Sequence, residues 1–227
     1  MINAKQFIEF LTSKGIDSFY GVPDSLLKPL CKELIDLPPN KHQISTNEGT
    51  AIASSIGNYL ASQSISCVYM QNSGLGNAIN PLLSLASKEV YSIPILLIIG
   101  WRGEILENRE QIKDEPQHRH QGKLTCSQLE LLDIDYTIFS KEISNWKEEL
   151  DNIINIAIIE KKPVAIVCKK NTFSETSKYS KIDNLQPKIN ITREDVIKTI
   201  VDLDKQNTPI FSTTGMASRE LYETRIS

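Results

Sequence analysis

Residues 44–61 read ISTNEGTAIASSIGNYLA, and in this stretch a short strand passes directly into a helix of small side chains. The pattern predicts a strand over 42–46 and a helix over about 49–62. Glu48 falls at the first turn of this helix, where backbone amides and the helix dipole stabilise a carboxylate by about 0.3–1 kcal/mol. Glu48 is therefore either a favourable first-turn residue and nothing more, or a functional carboxylate. The Gly, Ala and Ser residues allow another backbone or helix to approach closely, as a subunit interface requires.

The rest of the chain continues this alternation of strands and helices. Strands are predicted at residues 16–20, 42–46, 66–71, 93–100 and 164–168. Helices are predicted at about residues 4–14, 25–35, 49–62, 126–132 and 146–159, and residues 72–87 are predicted to form a Gly-rich loop followed by a helix. This spacing indicates an α/β fold with a doubly wound, mainly parallel sheet and helices on both faces. Ligands bind at the carboxyl ends of such strands, so we expect the site in the loops at 21–25, 46–49, 71–77 and 100–123.

Composition and charge exclude several classes of protein. The 227 residues include 25 Lys and Arg against 28 Asp and Glu, and this net charge of −3 argues against a dedicated nucleic-acid surface. No apolar stretch approaches the roughly 20 residues of a membrane helix, and the charged N-terminus does not resemble a secretory signal. The four cysteines lie far apart without a CxxC pair, so buried thiols are expected rather than a disulfide or zinc site. We therefore expect a cytoplasmic protein.

A polar stretch that contains a proline follows the last predicted strand. We interpret residues 171–190 as a linker between a domain over 1–170 and a further segment over 191–227. In this segment we predict a helix capped by Thr192, a strand over 209–212 and a second helix. About 36 residues cannot bury a core of their own, so we expect the chain to be the N-terminal part of a longer protein.

Four motifs occur in order along the predicted first domain. They are GVPDS at 21–25, STNEGTAIA at 45–53, QNSGLGNAINPLLSL at 71–85, and GWRGE at 100–104 with DEPQHRHQG at 114–122. In this combination, residues 1–170 resemble the pyrimidine-binding domain of thiamine diphosphate-dependent decarboxylases. Within that family the motifs are similar to those of phosphonopyruvate decarboxylases, with sulfopyruvate decarboxylases next. From Thr192 onward the chain resembles the start of the family's diphosphate-binding domain, and TTGMASRELYE matches its first strand and loop.

The resemblance implies a lyase that releases CO₂ from a small anionic 2-oxo acid. The expected cofactors are thiamine diphosphate and Mg²⁺. The expected reaction converts 3-phosphonopyruvate into phosphonoacetaldehyde in phosphonate biosynthesis, for example toward 2-aminoethylphosphonate. Glu48 would be the activating carboxylate, because a carboxylate that is hydrogen-bonded to a pyrimidine ring nitrogen shares or exchanges a proton with it and so drives the cofactor's aminopyrimidine into its reactive tautomer. Asn72 and Asn77 would contact the cofactor from the Gly-rich loop, which lacks the dinucleotide and P-loop fingerprints.

The resemblance also implies residues that handle protons. Asp24 would be an active-site acid that acts on the decarboxylated intermediate, although Pro-Asp-Ser is also a common turn sequence. Ser25 is interpreted as the N-cap of the next helix or as a substrate contact. His118 and His120 lie in a segment without helical periodicity, and they would transfer protons or bind the substrate carboxylate. Related decarboxylases have an adjacent histidine pair near this point, whereas Arg119 intervenes here; no metal ligands are predicted.

Cations are frequent in the long predicted loop over 100–123. Arg102, Arg119 and Lys123 are expected to bind the phosphonate or sulfonate, whose three acceptor oxygens suit Arg and Lys. A solvated loop is the competing explanation for each of them. The length of the loop is typical of an active-site lid.

The sequence lacks the GDG motif with which the family holds the diphosphate through a divalent cation. The resemblance therefore implies a cation site beyond Ser227 and a chain that binds the cofactor weakly or not at all by itself. It also implies a homo-oligomer whose active site lies between subunits, with no nucleic-acid or membrane partner. Two alternatives stay open: a sulfopyruvate decarboxylase, and a non-catalytic interaction module with the same fold.

Overall fold

The computed structural model describes residues 1–106, 108–175, 191–204, 208–213 and 215–226. The chain divides into two compact units, Met1–Ser177 and Lys178–Ser227. Most of the predicted linker, residues 176–190, lies outside the described residues. No helix in the described ranges is long and apolar enough to span a membrane.

The first unit alternates strands with helices. Its strands are β1 (Ile2–Asn3), β2 (Phe19–Gly21), β3 (His42–Ile44), β4 (Ser66–Gln71), β5 (Ile95–Gly100), β6 (Asp135–Phe139), β7 (Val164–Cys168) and β8 (Phe173–Ser174). Its helices are α1 (Ala4–Ser13), α2 (Lys28–Ile35), α3 (Glu48–Ser62), α4 (Leu75–Pro81), α5 (Pro116–Leu131) and α6 (Trp146–Glu160). A 3₁₀ turn at Asn72–Gly74 precedes α4, and a π-helical segment at Leu82–Ala86 follows it.

Six strands form one sheet in the order β3-β2-β4-β5-β7-β6, and every neighbouring pair is parallel. All six residues of β5 are buried, as expected for a strand that is covered on both faces. The chain runs outward from β2 to β3, crosses back, and then continues from β4 in the opposite direction. A topological switch point therefore lies between β2 and β4, where ligands of such sheets bind. The predicted doubly wound parallel sheet is confirmed.

Helices cover both faces of the sheet, and each face has its own hydrophobic core. One core packs α1, α2 and α6 on the sheet through residues such as Phe7, Leu30 and Ile154. The other core packs α3, α4 and α5 through residues such as Ile52 and Leu75. A fully buried apolar side chain of this size contributes roughly 1.5–3 kcal/mol, so the two cores fix the sheet and the loops that leave it.

α5 begins earlier than the sequence predicts, at Pro116 rather than near residue 126. The first ten residues of the helix, PQHRHQGKLT, are mostly polar and few of them are buried, so they lack the apolar periodicity on which the prediction depends. Proline at the first helical position is compatible with a helix start. The predicted loop over 100–123 is therefore wrong in its last part, because a helix replaces it.

Three strands are not predicted from the sequence. β6 forms an edge of the main sheet, where only one neighbour shields it, and its residues are accordingly more polar. β1 and β8 are two residues each, and they pair in parallel through Ile2 and Phe173. Phe173 is buried in the core with Phe7. Residues 171–175 of the predicted linker therefore belong to the first unit.

The second unit contains two described helices, α7 (Arg193–Leu203) and α8 (Met216–Ile226). The predicted cap at Thr192 is confirmed, since its side chain accepts a hydrogen bond from Asp195 N–H and its own N–H donates to the Asp195 carboxylate. Arg193 and Glu220 form two hydrogen bonds of 2.7 and 2.6 Å between the helices. The predicted strand over 209–212 is not formed, because residues 208–213 have no partner strand in the described part of this unit.

All four cysteines are free thiols, and Cys31, Cys67 and Cys168 are buried. Burial raises the pKa of the Cys31 thiol to about 11, so this thiol stays protonated at neutral pH. The predicted buried thiols are confirmed for these three residues, while Cys126 is half-buried.

Candidate active site

Loops from several strands meet at the carboxyl edge of the sheet. Since β2, β4 and β5 are parallel neighbours, the residues that follow them lie at the same edge. Gly100 ends β5, and a Cβ there would overlap the carboxylate of Asp24 from the loop after β2. Gly74, which follows β4, lies against the side chain of Glu48 in the same way. At this edge, two buried carboxylates are thus packed directly against the backbone of glycine residues.

Glu48 is the first residue of α3 and is 9% exposed. Asn47 caps the helix, since its Oδ1 accepts a 2.9 Å hydrogen bond from the backbone N–H of Thr50. The cap fixes where the Glu48 side chain leaves the helix. Oε2 of Glu48 then accepts a 2.8 Å hydrogen bond from Nδ2 of Asn77 in α4. The structure therefore brings together two of the residues that are predicted to bind the cofactor.

The packing of Gly74 against Glu48 leaves no room for a side chain at position 74. A Cβ there would lie 2.5 Å from both Cγ and Cδ of Glu48. Asn77 donates to one carboxylate oxygen, while no donor in the described part of the chain reaches the other oxygen, Oε1. A largely buried carboxylate with one oxygen held by a donor and the other available is suited to form a hydrogen bond with a pyrimidine ring nitrogen. The residues present therefore fit the cofactor that the resemblance implies.

Asp24 is 6% exposed, and its two carboxyl oxygens have different surroundings. Oδ2 accepts a 3.1 Å hydrogen bond from the backbone N–H of Leu26. Oδ1 is buried and has no hydrogen-bond partner among the described residues. Burial raises the pKa of Asp24, and this effect exceeds the opposing effects of the hydrogen bond and of nearby Arg102. Asp24 therefore keeps its proton to higher pH than an ordinary aspartate.

Arg102 forms a bidentate pair with Asp114 in the loop between β5 and α5. Nε lies 2.9 Å from Oδ2 and Nη2 lies 2.6 Å from Oδ1. The backbone N–H groups of Gly103 and Glu115 also donate to Asp114, at 3.0 and 2.8 Å. These hydrogen bonds, above all those from Arg102, hold the pKa of Asp114 well below its usual range. Nη1 of Arg102 donates to Oγ of Ser25 at 3.2 Å, so these two predicted substrate residues are neighbours.

Two details of this cluster differ from the sequence prediction. Ser25 is not the N-cap of α2, because the helix begins at Lys28 and Leu27 occupies the cap position without a side-chain hydrogen bond. Asp114 is not predicted as a site residue, although it opens the DEPQHRHQG motif. Its pairing with Arg102 across twelve residues of loop depends on backbone geometry that sequence patterns do not report.

A cleft of about 280 Å³ lies beside this cluster. Its walls come from the loops after β2, β5 and β7, and include Ser25, Trp101, Arg102, Glu104, Lys113 and Lys170. Glu104 is 7% exposed, and its Oε2 accepts a 2.8 Å hydrogen bond from the backbone N–H of Lys170. This hydrogen bond ties the loop after β5 to the loop after β7. The volume suits a small molecule. Sequence reasoning does not select either lysine.

Asn72 lies at the same edge but uses its amide within the chain. Its Nδ2 donates to the carbonyl oxygen of Arg102 at 3.0 Å and to Oγ1 of Thr125 at 2.9 Å. Its Oδ1 accepts a 3.2 Å hydrogen bond from the backbone N–H of Arg102. Asn72 is 1% exposed, so both amide hydrogens are used inside the protein. These contacts favour a structural role, in which Asn72 joins the loops after β4 and β5 to α5.

The remaining predicted residues lie on α5. His118 is half-buried, whereas Arg119, His120 and Lys123 are exposed. Residues two apart on a helix lie on roughly opposite faces, about 160° apart around the axis, so the two histidines do not converge on one point. The predicted position of the two histidines in a non-helical segment is wrong, because both lie on α5, and the catalytic role of each histidine stays a prediction. In the described part of the chain, no group of three or more His, Cys, Asp or Glu side chains could hold a metal ion.

Residues 1–124 match the sequence profile described as the N-terminal TPP binding domain of thiamine pyrophosphate enzymes. The chain belongs to the thiamine pyrophosphate enzyme family. The matched region includes Asp24, Glu48 and Asn77.

This thiamine pyrophosphate enzyme is similar to two kinds of decarboxylase. The phosphonopyruvate decarboxylase of Streptomyces viridochromogenes is 29% identical over 240 residues, which cover 98% of this chain and 57% of that protein. The sulfopyruvate decarboxylase subunit alpha of Methanococcus maripaludis is 35% identical over 136 residues, which cover 60% of this chain and 76% of that subunit. The chain thus spans little more than half the length of the phosphonopyruvate decarboxylase that it matches.

A solved structure shows the same fold. The crystal structure of benzoylformate decarboxylase from Polynucleobacter necessarius superposes with a TM-score of 0.54 at 14% identity, covering 89% of this chain and 36% of that one. At this identity the likeness is one of fold alone. It agrees with the parallel sheet and two helical layers that the sequence predicts.

Proposed function

We propose that this thiamine pyrophosphate enzyme takes part in the decarboxylation of 3-phosphonopyruvate to phosphonoacetaldehyde and CO₂. The observation that carries the proposal is the carboxylate of Glu48, which Asn77 holds at 2.8 Å against the bare backbone of Gly74. The choice of substrate is supported by the likeness to the phosphonopyruvate decarboxylase of Streptomyces viridochromogenes over 98% of the chain.

Glu48 is assigned the role of the activating carboxylate. When bound, thiamine diphosphate supplies the electron sink that accepts the electron pair left behind as CO₂ departs. Glu48 would hold the pyrimidine ring of the cofactor and share a proton with a ring nitrogen, while Asn77 keeps Oε2 occupied and so fixes the orientation of the carboxylate. Because Glu48 is largely buried, water screens this interaction little, and its strength exceeds that of an exposed hydrogen bond.

Asp24 is assigned the proton that completes the reaction. After CO₂ leaves, the product carbon must gain a proton, and the carboxyl group of Asp24, whose pKa is raised by burial, holds a proton more readily than an ordinary aspartate does. The buried Oδ1 has no hydrogen-bond partner in the described residues, so a proton there is not engaged in another contact. His118 stays a second candidate, since it is half-buried and His120 is exposed.

The complete enzyme is proposed to contain more than the residues described. The diphosphate and Mg²⁺ would be held by a diphosphate-binding part, and the site would lie between subunits of a homo-oligomer. This chain together with that part is the complete enzyme. We further propose a cytoplasmic location and a role in phosphonate biosynthesis, for example toward 2-aminoethylphosphonate.

Two other functions have support of their own. Decarboxylation of sulfopyruvate is supported by the 35% identity to the alpha subunit from Methanococcus maripaludis, and both substrates present a tetrahedral anion on a three-carbon oxo acid. A non-catalytic interaction module would keep the fold without the chemistry. Against the module stands Glu48, because Oε1 of this largely buried carboxylate has no donor in the described part of the chain and needs a further partner, beside Asn77 on Oε2, to offset its loss of hydration.

The decisive experiment measures decarboxylation by the complete enzyme with phosphonopyruvate, sulfopyruvate and pyruvate side by side. We expect the highest kcat/KM with phosphonopyruvate. A preference for sulfopyruvate would transfer the assignment to the second function. Calorimetry with thiamine diphosphate and Mg²⁺ completes the test, because an absence of cofactor binding would contradict the proposal and support the interaction module.

A further inference from the structure

We infer that Lys113 and Lys170, together with Arg102, form the subsite that binds the tetrahedral anionic tail of the substrate. This inference rests on the proposed function and deepens it. The three cations line the same cleft of about 280 Å³, although they come from loops that follow two different strands. Arg102 and Lys113 lie in the loop after β5, and Lys170 lies in the loop after β7.

The ammonium groups of the two lysines can bind an anionic ligand. Both are exposed, and no carboxylate in the described part of the chain forms an ion pair with either of them. Lys170 contributes only its backbone N–H to Glu104, so its ammonium group is not used by that contact. A phosphonate or sulfonate offers three acceptor oxygens and suits several separate ammonium donors.

The carboxylates in the cleft do not cancel this charge. Asp114 is occupied by the bidentate contact of Arg102 and by two backbone N–H groups, so its oxygens already accept four hydrogen bonds. Glu104 is buried and accepts the Lys170 N–H. Three cations and two carboxylates therefore line the cleft, and Asp114 pairs with Arg102 and not with a lysine.

The cleft also lies beside the loop that carries Asp24. Ser25 lines it and accepts a hydrogen bond from Arg102, and the buried carboxyl of Asp24 precedes Ser25 in the same loop. A substrate whose reacting carbon lies near Asp24 could therefore extend its tail toward the lysines. Arg119 and Lys123, which the sequence predicts for the tail, lie on α5 and do not line this cleft.

The test compares substrates with and without a charged tail in the complete enzyme. For Lys113→Met and Lys170→Met, we expect the KM for phosphonopyruvate to rise at least about tenfold, with kcat changed less than KM, since each variant removes a hydrogen bond between charged groups. The KM for pyruvate should stay unchanged. Lys161→Met is the matched control, because Lys161 is exposed and lies before β7, at the opposite edge of the sheet.

A binding measurement separates this inference from the proposed function. Calorimetry with phosphonoacetate and with acetate needs no turnover, and we expect each lysine variant to weaken phosphonoacetate binding about tenfold without affecting acetate. An unchanged KM and affinity for the tailed compounds, or an equal loss for pyruvate and acetate, would overturn the subsite. Tail-dependent binding in a protein that decarboxylates none of the oxo acids would uphold the subsite and overturn the proposed function.

Discussion

Asn77 donates a 2.8 Å hydrogen bond to the Oε2 of Glu48, so a side chain on α4 orients a carboxylate on α3. The two helices follow β3 and β4, strands that lie on opposite sides of β2 in the sheet. The crossover between them therefore brings the pair together at the carboxyl edge.

Asn77→Ala should lower kcat by roughly 10- to 100-fold in the complete enzyme. A hydrogen bond to a charged group is worth about 1.5–3 kcal/mol, and its loss frees the Glu48 carboxylate to rotate. Asn77→Asp should lose more activity and recover part of it as the pH falls, because two adjacent carboxyl groups then share a proton. Steady-state kinetics between pH 5 and 8 would check this, and a wild-type profile for both variants would refute a positioning role.

Gly74→Ala should displace the Glu48 carboxylate, because the new Cβ would lie 2.5 Å from its Cδ. We expect at least about a tenfold loss of kcat, because a catalytic group that is displaced from its productive position reacts more slowly. Gly57→Ala is the matched control, since a Cβ at Gly57 in α3 meets no atom within 4 Å. Equal activities of the two variants would show that this close contact does not matter.

Asp24→Asn should change how stability depends on pH. Because the folded-state pKa of Asp24 is raised, its folded state binds the proton more tightly than the unfolded chain does. Wild-type stability should therefore fall as the pH rises from the ordinary aspartate pKa of about 3.9 through the raised value, and the variant should lack this fall. Urea unfolding of both proteins between pH 4 and 8 measures it. Parallel curves would contradict the raised pKa.

Asp114→Asn should lower the free energy of unfolding by about 1–2 kcal/mol at pH 7, because it breaks a bidentate pair that is largely shielded from water. The folded-state pKa of Asp114 is lowered, so its stabilisation is complete above the ordinary aspartate pKa and is lost as the pH falls through the lowered value. The difference between wild type and variant should therefore narrow below about pH 4. A difference that does not depend on pH in this range would be inconsistent with the ion pair.

Much of the fold could be predicted because its strands carry strong patterns. β5 is apolar throughout, and the alternation with helices leaves few alternatives to a parallel sheet. The prediction failed where the tertiary structure, not the local pattern, stabilises an element. α5 begins in polar residues whose contacts lie in the neighbouring loop: a Cβ at Gly122 would overlap the backbone of Gly103, and Trp101 donates its indole N–H to the Gly122 carbonyl.

The site residues also divide into those that the sequence predicts and those that it does not. Glu48, Asn77, Ser25 and Arg102 are predicted from motifs, and the structure brings them into two contacting pairs. Asn72 belongs to the same motif as Asn77, yet its amide forms hydrogen bonds inside the protein. The motif does not reveal which of the two asparagines faces outward, so both are predicted to contact the cofactor. Lys113 and Lys170 lie outside the four motifs. Only the approach of two loops after β5 and β7 makes them neighbours of Arg102.

The most direct test of the account is Glu48→Gln in the complete enzyme. Glutamine keeps the size of the side chain but cannot exchange a proton with the pyrimidine ring as a carboxylate does. We predict that turnover of phosphonopyruvate falls by about 10²–10⁴-fold, while calorimetry shows that thiamine diphosphate still binds and Glu89→Gln, an exposed control, keeps full activity. Near wild-type turnover by Glu48→Gln would contradict the central claim that this carboxylate activates the cofactor.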